Sequence, residues 1–301
     1  MSLQHTLAQP FTLTGKGLHT GLNITALFLP AEANTGIRFQ RADMPGHPVI
    51  PALASQVSAT ERGTVIMKDN AQVSTIEHCM SALMAHGIDN CLIQVNAPEV
   101  PILDGSANYV VQAINKAGVK EQNAEREAFV VTEPMEFEAN GSKIRLEPAD
   151  SFQVEATIQF DSPILGTQTA TLDDMKDFDS QISHARTFVF VREIAPLLKM
   201  GLIKGGDLDN AIVIYDQLME QAQIDELCQL LNVPSLELNE VGYLNKRPLS
   251  FDNEPARHKL LDLIGDLSLI GRPIVGKVTA LRPGHGFNTQ VAKALLNKIT
   301  K

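Results

Sequence analysis

Apolar and polar residues alternate in "LNITALFLPA" (22–31) and "TGIRFQR" (35–41), and turn residues separate the two, so both read as half-buried strands. The period changes to that of a helix in "VSTIEHCMSALMAHGIDN" (73–90), where Ser74 and Glu77 stand at capping-box spacing and Gly87 lies near the stop. A buried strand follows at "NCLIQVNAP" (90–98), then a loop, "PILDGSAN" (101–108), and a second helix, "YVVQAINKAG" (109–118), that ends at a glycine. The same order then recurs. Strands fill 128–161, a helix is expected at "FDNEPARHKLLDLIGDL" (251–267) and a strand at "PIVGKVTALRP" (273–283), followed by "GHGFNT" (284–289) and a last helix. Residue identity between the halves is low, so the repeated order of elements carries the inference of an internal duplication. The expectation is an α+β fold of two related domains, 1–124 and 125–301, divided in the polar segment "KEQNAEREA" (120–128). An insertion at about 180–248 interrupts the second; "RTFVFVREIAPLLKMGLIKGGDLDNAIVIY" predicts strand, helix, Gly-Gly turn and strand, and a helical stretch with a looped return completes it.

Composition narrows the function classes. With 301 residues, 44% hydrophobic and 20% charged, the chain is long enough for one large or two medium cores and describes a soluble globular protein. Its net charge of −10 argues against general nucleic-acid binding, which needs a broad basic face. The start "MSLQHTLAQPFTL" has no basic segment followed by an apolar core, and no 18-residue uncharged apolar run follows, so the expected location is the cytoplasm, with no membrane span. Three cysteines, Cys79, Cys91 and Cys228, form no C-x-x-C pair, so any metal must use histidines and carboxylates.

The helix at 251–267 brings His258, Asp262 and Asp266 to one edge, with Lys259 beside them and Leu260, Leu261, Ile264 and Leu267 on the other side. Such a stripe is either a solvated face or half of a metal site, because His and Asp at i, i+4 project from adjacent turns toward one point. "IEHC" in the first-half helix offers a third ligand, His78, preceded by Glu77; the alternatives are a capping role for Glu77 and a surface or core histidine. His78, His258 and Asp262 would leave one coordination position open, as in catalytic zinc sites, and Glu77 could take a proton from a bound water. His285, between glycines in "RPGHGFN", suits a flexible proton donor or an ordinary loop, and Asp266 could keep it protonated. His19 in "GLHTG" and the segment "PILDGSAN" read as structural turns.

Taken in order, "GLHTG", "STIEH", "GIDN", "PILDGSA", "ARTF", "HKLLDLIGDL" and "GH" resemble the bacterial UDP-3-O-acyl-N-acetylglucosamine deacetylases, the LpxC family, along nearly the whole chain. The resemblance implies two related α+β domains, each a sheet packed against paired helices, with zinc at their junction. It carries zinc ligands onto His78, His258 and Asp262, a general base onto Glu77 and a general acid onto His285, and all five residue types match. It further implies an oxyanion-stabilising hydroxyl at Thr187, a lysine near the reacting centre at Lys259, a carboxylate supporting the acid at Asp266 and a sugar contact at Phe188. The insertion would form the passage for an acyl chain, where Val191, Ile194, Leu202 and Ile203 are apolar; ordinary core is the alternative for each. A UDP-linked acylated amino sugar carries a diphosphate, for which Lys143, Arg257 and Lys259 are candidate contacts.

The implied reaction is hydrolysis of the 2-acetamido group to acetate and a free amine, the committed step of lipid A synthesis. In one version His285 protonates the leaving nitrogen; in the other Glu77 is the sole acid and base. The chain departs from the family at Gly63, where some members have cysteine, and at Glu193, where some have aspartate. Its style is most similar to Bacteroidetes-type members fused to a C-terminal 3-hydroxyacyl-carrier-protein dehydratase, so a longer natural protein is one expectation. The rival readings are a non-catalytic nucleotide-sugar binding module on the same fold and a zinc amidase of other specificity. An N/O donor set of this kind also accepts ferrous iron.

Overall fold

The computed structural model describes residues 2–231 and 233–299. Two mixed sheets carry a mixed α/β fold. In the first, strands Phe11–Lys16, Asn23–Pro30, Cys91–Val95, Ile37–Arg41 and Val49–Pro51 lie side by side in that order. In the second the order is Met135–Ala139, Ser142–Glu147, Ile274–Leu281, Phe152–Gln159 and Thr167–Leu172, with the short strand Phe129–Val130 added beside Ile274–Leu281. Pairing senses agree strand for strand: antiparallel, antiparallel, parallel, antiparallel. In each sheet the strand that comes last in the chain sits at the centre, reached after a helix has crossed over. Residues buried on alternate positions, as along Asn23–Pro30 and Phe152–Gln159, give each sheet one covered face.

The helices among the described residues are α1 (Glu77–Ala85), α2 (Asn108–Ala117), α3 (Phe178–Gln181), α4 (Val191–Lys199), α5 (Gln221–Leu230), α6 (Glu254–Leu267) and α7 (His285–Ile299). None is long and apolar enough to cross a membrane. Helix α6 lies on the second sheet and crosses α1. One apolar cluster joins Met80 and Leu83 of α1, Leu260, Ile264 and Leu267 of α6, Leu295 of α7 and the inner residues of both sheets, including Ile93 and Val278.

Local patterning and structure part in three places. The helix expected at 73–90 is shorter, because Ala71–Val73 is a strand and the backbone of Ser74 pairs with the segment around Glu99. Its hydroxyl donates to the Pro98 carbonyl at 3.1 Å, so the Ser74–Glu77 capping box does not form; a non-local pairing outcompetes the local cap. The polar segment 120–128 is not a free linker: Val119–Glu125 is a strand antiparallel to Leu3–Leu7, and only 126–128 lead on to Phe129. "GHGFNT" is not a flexible turn but the first turn of α7, beginning at His285.

The insertion has the predicted elements: Phe188–Phe190 and Ile212–Tyr215 pair in parallel, Gly242–Tyr243 joins antiparallel, and α4 lies between the first two in sequence. Its ends are fastened to α6 by a buried ion pair. Glu254 accepts from Arg186 Nε at 2.8 Å, from Arg186 Nη2 at 3.1 Å, and from the backbone of Arg186 and Ser250. Removing one member of such a pair strands the other charge without water. Glu254→Ala is therefore expected to lower unfolding free energy by about 3–5 kcal/mol, measured by urea denaturation; a loss near zero would mean that water reaches Arg186.

Candidate metal centre and active site

The site forms where α1 crosses α6. Gly265 makes this crossing possible: a Cβ on Gly265 would stand 2.1 Å from the Glu77 carbonyl oxygen, so only a glycine lets the two backbones approach this closely. The first turn of α1 then faces the polar stripe of α6, and Glu77 and His78 come opposite His258, Asp262 and Asp266. All five are buried, with Asp266 at 0% and His258 and Asp262 at 1% exposure. The solvated-face reading of the stripe is thereby overturned, because α6 is covered on nearly every side.

His78, His258 and Asp262 offer ligand atoms that all lie within 4.8 Å of one another. Asp262 Oδ1 is 3.4 Å from His258 Nε2 and 3.7 Å from His78 Nε2. This oxygen is buried and accepts no hydrogen bond among the described residues. His258 Nδ1 lies 3.0 Å from the Ala185 carbonyl, which fixes the proton on Nδ1 and leaves the Nε2 lone pair facing Asp262. Two imidazole lone pairs and an unpartnered carboxylate oxygen converging in a dry site are the donor set of a divalent cation, and the residues present fit one. Burial, then the neighbouring His258, drives the His78 pKa down to about 3, and burial also lowers His258 against the pull of Asp262. Both rings are neutral donors near pH 7. For Asp262 burial acts upward, but His258, Lys259, His285 and His78 together hold the carboxyl well below the usual range.

A second set, Glu77, Asp262 and His285, also converges within 4.8 Å. It suits proton transfer better than coordination, because His285 is held as a cation. Its Nδ1 lies 2.9 Å from Asp266 Oδ2, and its Nε2 lies 3.7 Å from Asp262 Oδ2 and 4.0 Å from Glu77 Oε1. Burial opposes its charge, yet Asp266 and Asp262 carry its pKa up to about 9. Burial pushes the Glu77 carboxyl up to about 7, with the two aspartates adding to the rise and the His285 cation opposing it. One group is thus poised to take a proton near neutral pH and its neighbour to give one.

Residue patterns gave no sign of several groups that hold this arrangement. The Thr64 amide donates to Glu77 Oε2 at 2.9 Å and its hydroxyl to Asp266 Oδ1 at 2.5 Å, tying Glu77 and Asp266 together. Asn288 Nδ2 donates to Asp266 Oδ2 at 3.0 Å. Gly265 alone left a trace, as an isolated glycine inside a helical pattern, which often marks close packing.

The other candidates divide. Lys259 donates to Asp262 Oδ2 at 2.6 Å and lies 5.6 Å from the Phe188 ring, which is 6.5 Å from the His258 ring. Thr187 stands beside Phe188, its amide donating to Gly105 of "PILDGSA" at 2.8 Å. Val191 and Ile194 pack into the insertion's own core with Val213, Tyr215 and Leu227, while Ile203 is only partly buried against it. Arg257 is engaged by Asn253, the Gln181 carbonyl and the Phe251 ring, and Lys143 pairs with Glu136 on the second sheet. Val191, Ile194, Ile203, Arg257 and Lys143 are not brought to the centre, because each is already occupied in local packing or pairing. Of the two departures, Gly63 passes beside Glu77, where an added Cβ would be 3.1 Å from Oε1, and Glu193 pairs with Arg62 at 2.8 Å.

The family model described as UDP-3-O-acyl N-acetylglycosamine deacetylase matches residues 4–227 and 234–297. The chain belongs to this family. It is 51% identical over 301 residues to the "Bifunctional enzyme LpxC/FabZ" of Bacteroides thetaiotaomicron, covering 99% of this chain and 65% of that protein. The similar enzyme of Porphyromonas gingivalis is 50% identical with the same coverage. The chain thus spans about two thirds of the length of these bifunctional relatives. The "UDP-3-O-acyl-N-acetylglucosamine deacetylase" of Myxococcus xanthus is 38% identical over 295 residues, covering 98% of this chain and 86% of that protein.

Gly265→Ala tests the crossing on which this family member's centre depends. Forcing the helices apart is expected to cost about 1–3 kcal/mol of stability and to weaken divalent-metal binding in a chelator competition. Unaltered metal affinity would show that the ligands do not need the close approach.

Proposed function

We propose that this chain hydrolyses the 2-acetamido group of a UDP-3-O-(3-hydroxyacyl)-N-acetylglucosamine to the free amine and acetate, with one zinc ion per chain. The observation that carries the reading is the unpartnered Asp262 oxygen between two neutral imidazoles, with Glu77 and His285 beside it. His78, His258 and Asp262 would hold the zinc, which supplies Lewis acidity toward an amide carbonyl and makes water acidic near neutral pH. Glu77, fixed by the Thr64 amide, is the base that takes the proton of the attacking water. His285, held by Asp266, gives its proton to the amide nitrogen, without which an amine leaves poorly. The Thr187 hydroxyl stabilises the oxyanion, Lys259 balances charge at the reacting centre, and Phe188 offers its ring to the sugar.

The reading extends to architecture and setting. The identical strand order and pairing senses of the two sheets support a duplication into domains 1–124 and 125–301. The bifunctional names of the two relatives, of which this chain covers 65%, support a natural chain that continues into a second enzyme, and we infer a cytoplasmic enzyme of lipid A synthesis fused to a dehydratase.

Acetate release by metal-free protein, titrated with zinc, is expected to rise to a plateau at one equivalent. Zinc binding without release would favour a nucleotide-sugar binding module instead. The pH profile follows from the two poised groups: the base must be deprotonated and the acid protonated. Turnover efficiency should therefore rise through about pH 7 with Glu77 and fall through about pH 9 with His285. His285→Gln should lower it by about 10²–10⁴-fold and remove the alkaline limb; a normal rate would leave Glu77 as sole acid and base.

A further inference from the structure

We propose that Glu99 is a positioning residue that locks the start of α1 to the turn receiving the insertion, so that one buried carboxylate sets both the ligand-bearing helix and the rim of the substrate passage. This rests on the reading of the site given above and deepens it. Glu99 is fully buried, and its oxygens accept from neutral donors: the His19 amide at 2.8 Å, the Thr20 amide at 2.9 Å, the Thr20 hydroxyl at 2.7 Å and the Thr75 hydroxyl at 3.1 Å. Four donors converge on the two oxygens of one buried side chain, and these bonds join segments distant in the chain.

One arm reaches the metal-facing helix. Thr75, two residues before Glu77 and three before His78, has φ of +60°, a conformation that a β-branched residue keeps only when its surroundings hold it there. Its hydroxyl bond to Glu99 is such a hold, and it turns the chain from Ala71–Val73 into α1. The other arm reaches the insertion. The turn at 17–21 wraps the carboxylate so tightly that a Cβ on Gly17 would stand 2.3 Å from Glu99 Oε2. The outer side of this turn docks the insertion: the Leu18 carbonyl accepts from Gly205, the His19 carbonyl from Lys204, and the His19 ring from the Ile203 amide. These residues lie in the loop that follows α4, after Met200, Gly201 and Leu202, in the region proposed for the acyl chain.

A carboxylate that only stabilised the fold would affect both arms together when either was cut. A positioning role separates them. Thr75→Val, which removes only the hydroxyl bond, is expected to weaken zinc binding by metal-free protein about tenfold in chelator competition, while Thr75→Ser, which keeps the bond, binds as the parent does. Thr20→Val is expected to leave zinc affinity in place, lower hydrogen-exchange protection at the Lys204 and Gly205 amides, and raise KM for the acylated substrate more than it lowers kcat. Glu99→Gln should show both losses, and the threonine variants decide the matter where it does not fold. Equal zinc affinity for Thr75→Val and Thr75→Ser, or intact protection at Lys204 and Gly205 in Thr20→Val, overturns the proposal. Zinc affinity and exchange are read without turnover, so a folded protein that releases no acetate would sink the proposed function and leave this inference standing.

Discussion

Everything chemical in this molecule depends on how near α1 can come to α6. Packed helices ordinarily keep their axes 8–10 Å apart because side chains fill the space between them. At this crossing the Glu77 carbonyl occupies the place where a side chain on residue 265 would begin, and glycine removes the obstacle. The consequence reaches beyond packing. Glu77 and His78 occupy the first turn of α1 and have no other route to Asp262, which lies nearly one turn before Gly265 on α6. Glycine inside a helix costs about 1 kcal/mol relative to alanine, and the helix carries that cost at the one position where it brings the ligand atoms of two helices within 4.8 Å.

Close approach creates an electrostatic problem whose solution defines the chemistry. Glu77, Asp262 and Asp266 are all buried, and three like charges cannot share a dry space unaided. Asp266 is satisfied by three donors, Thr64, His285 and Asn288, and Asp262 Oδ2 by Lys259. Glu77 responds by holding its proton more tightly than a solvated carboxylate, and His285 by holding its own more tightly than a solvated imidazole. The residual negative charge falls on Asp262 Oδ1, the atom without a donor, and both neighbouring histidines are neutral. On the proposed function a cation belongs there for the same reason that Glu77 and His285 stand beside it: each answers the charge the others leave.

The stripe of His258, Asp262 and Asp266 was legible because helical spacing is a local property, and so was the repeated order of strands and helices. The choice between a solvated face and a site was not, since burial of α6 is decided by α1 and the second sheet, far away in the chain. Thr64 and Glu99 were invisible for a related reason: each acts through bonds to residues brought near only by the fold, across 202 positions from Thr64 to Asp266 and 80 from Glu99 to His19. The capping box failed in the opposite way. Ser74 and Glu77 had the right spacing, but the backbone of Ser74 was already committed to the segment around Glu99. His285 sat among glycines, which suggested mobility, yet the same residues open α7 and fix the ring against Asp266.

On the proposed duplication, α1 and α6 hold equivalent places, each preceding the central strand of its sheet, as α2 and α7 each follow it. Their contributions nevertheless differ. α1 contributes Glu77 and His78 from its first turn, whereas α6 contributes His258, Asp262 and Asp266 over three turns. α7 opens with His285, whereas α2 opens with Asn108, whose side chain accepts from Gln112 and whose amide donates to the Ser106 hydroxyl. A symmetric pair of helices would place like groups opposite one another, and matched carboxylates buried together would repel. The proposed hydrolysis needs unlike groups on the two sides of a scissile amide, one to take a proton and one to give it. The crossing meets that need by shifting its register: the start of α1 meets the end of α6 at Gly265, so the two helices present different turns to the same point.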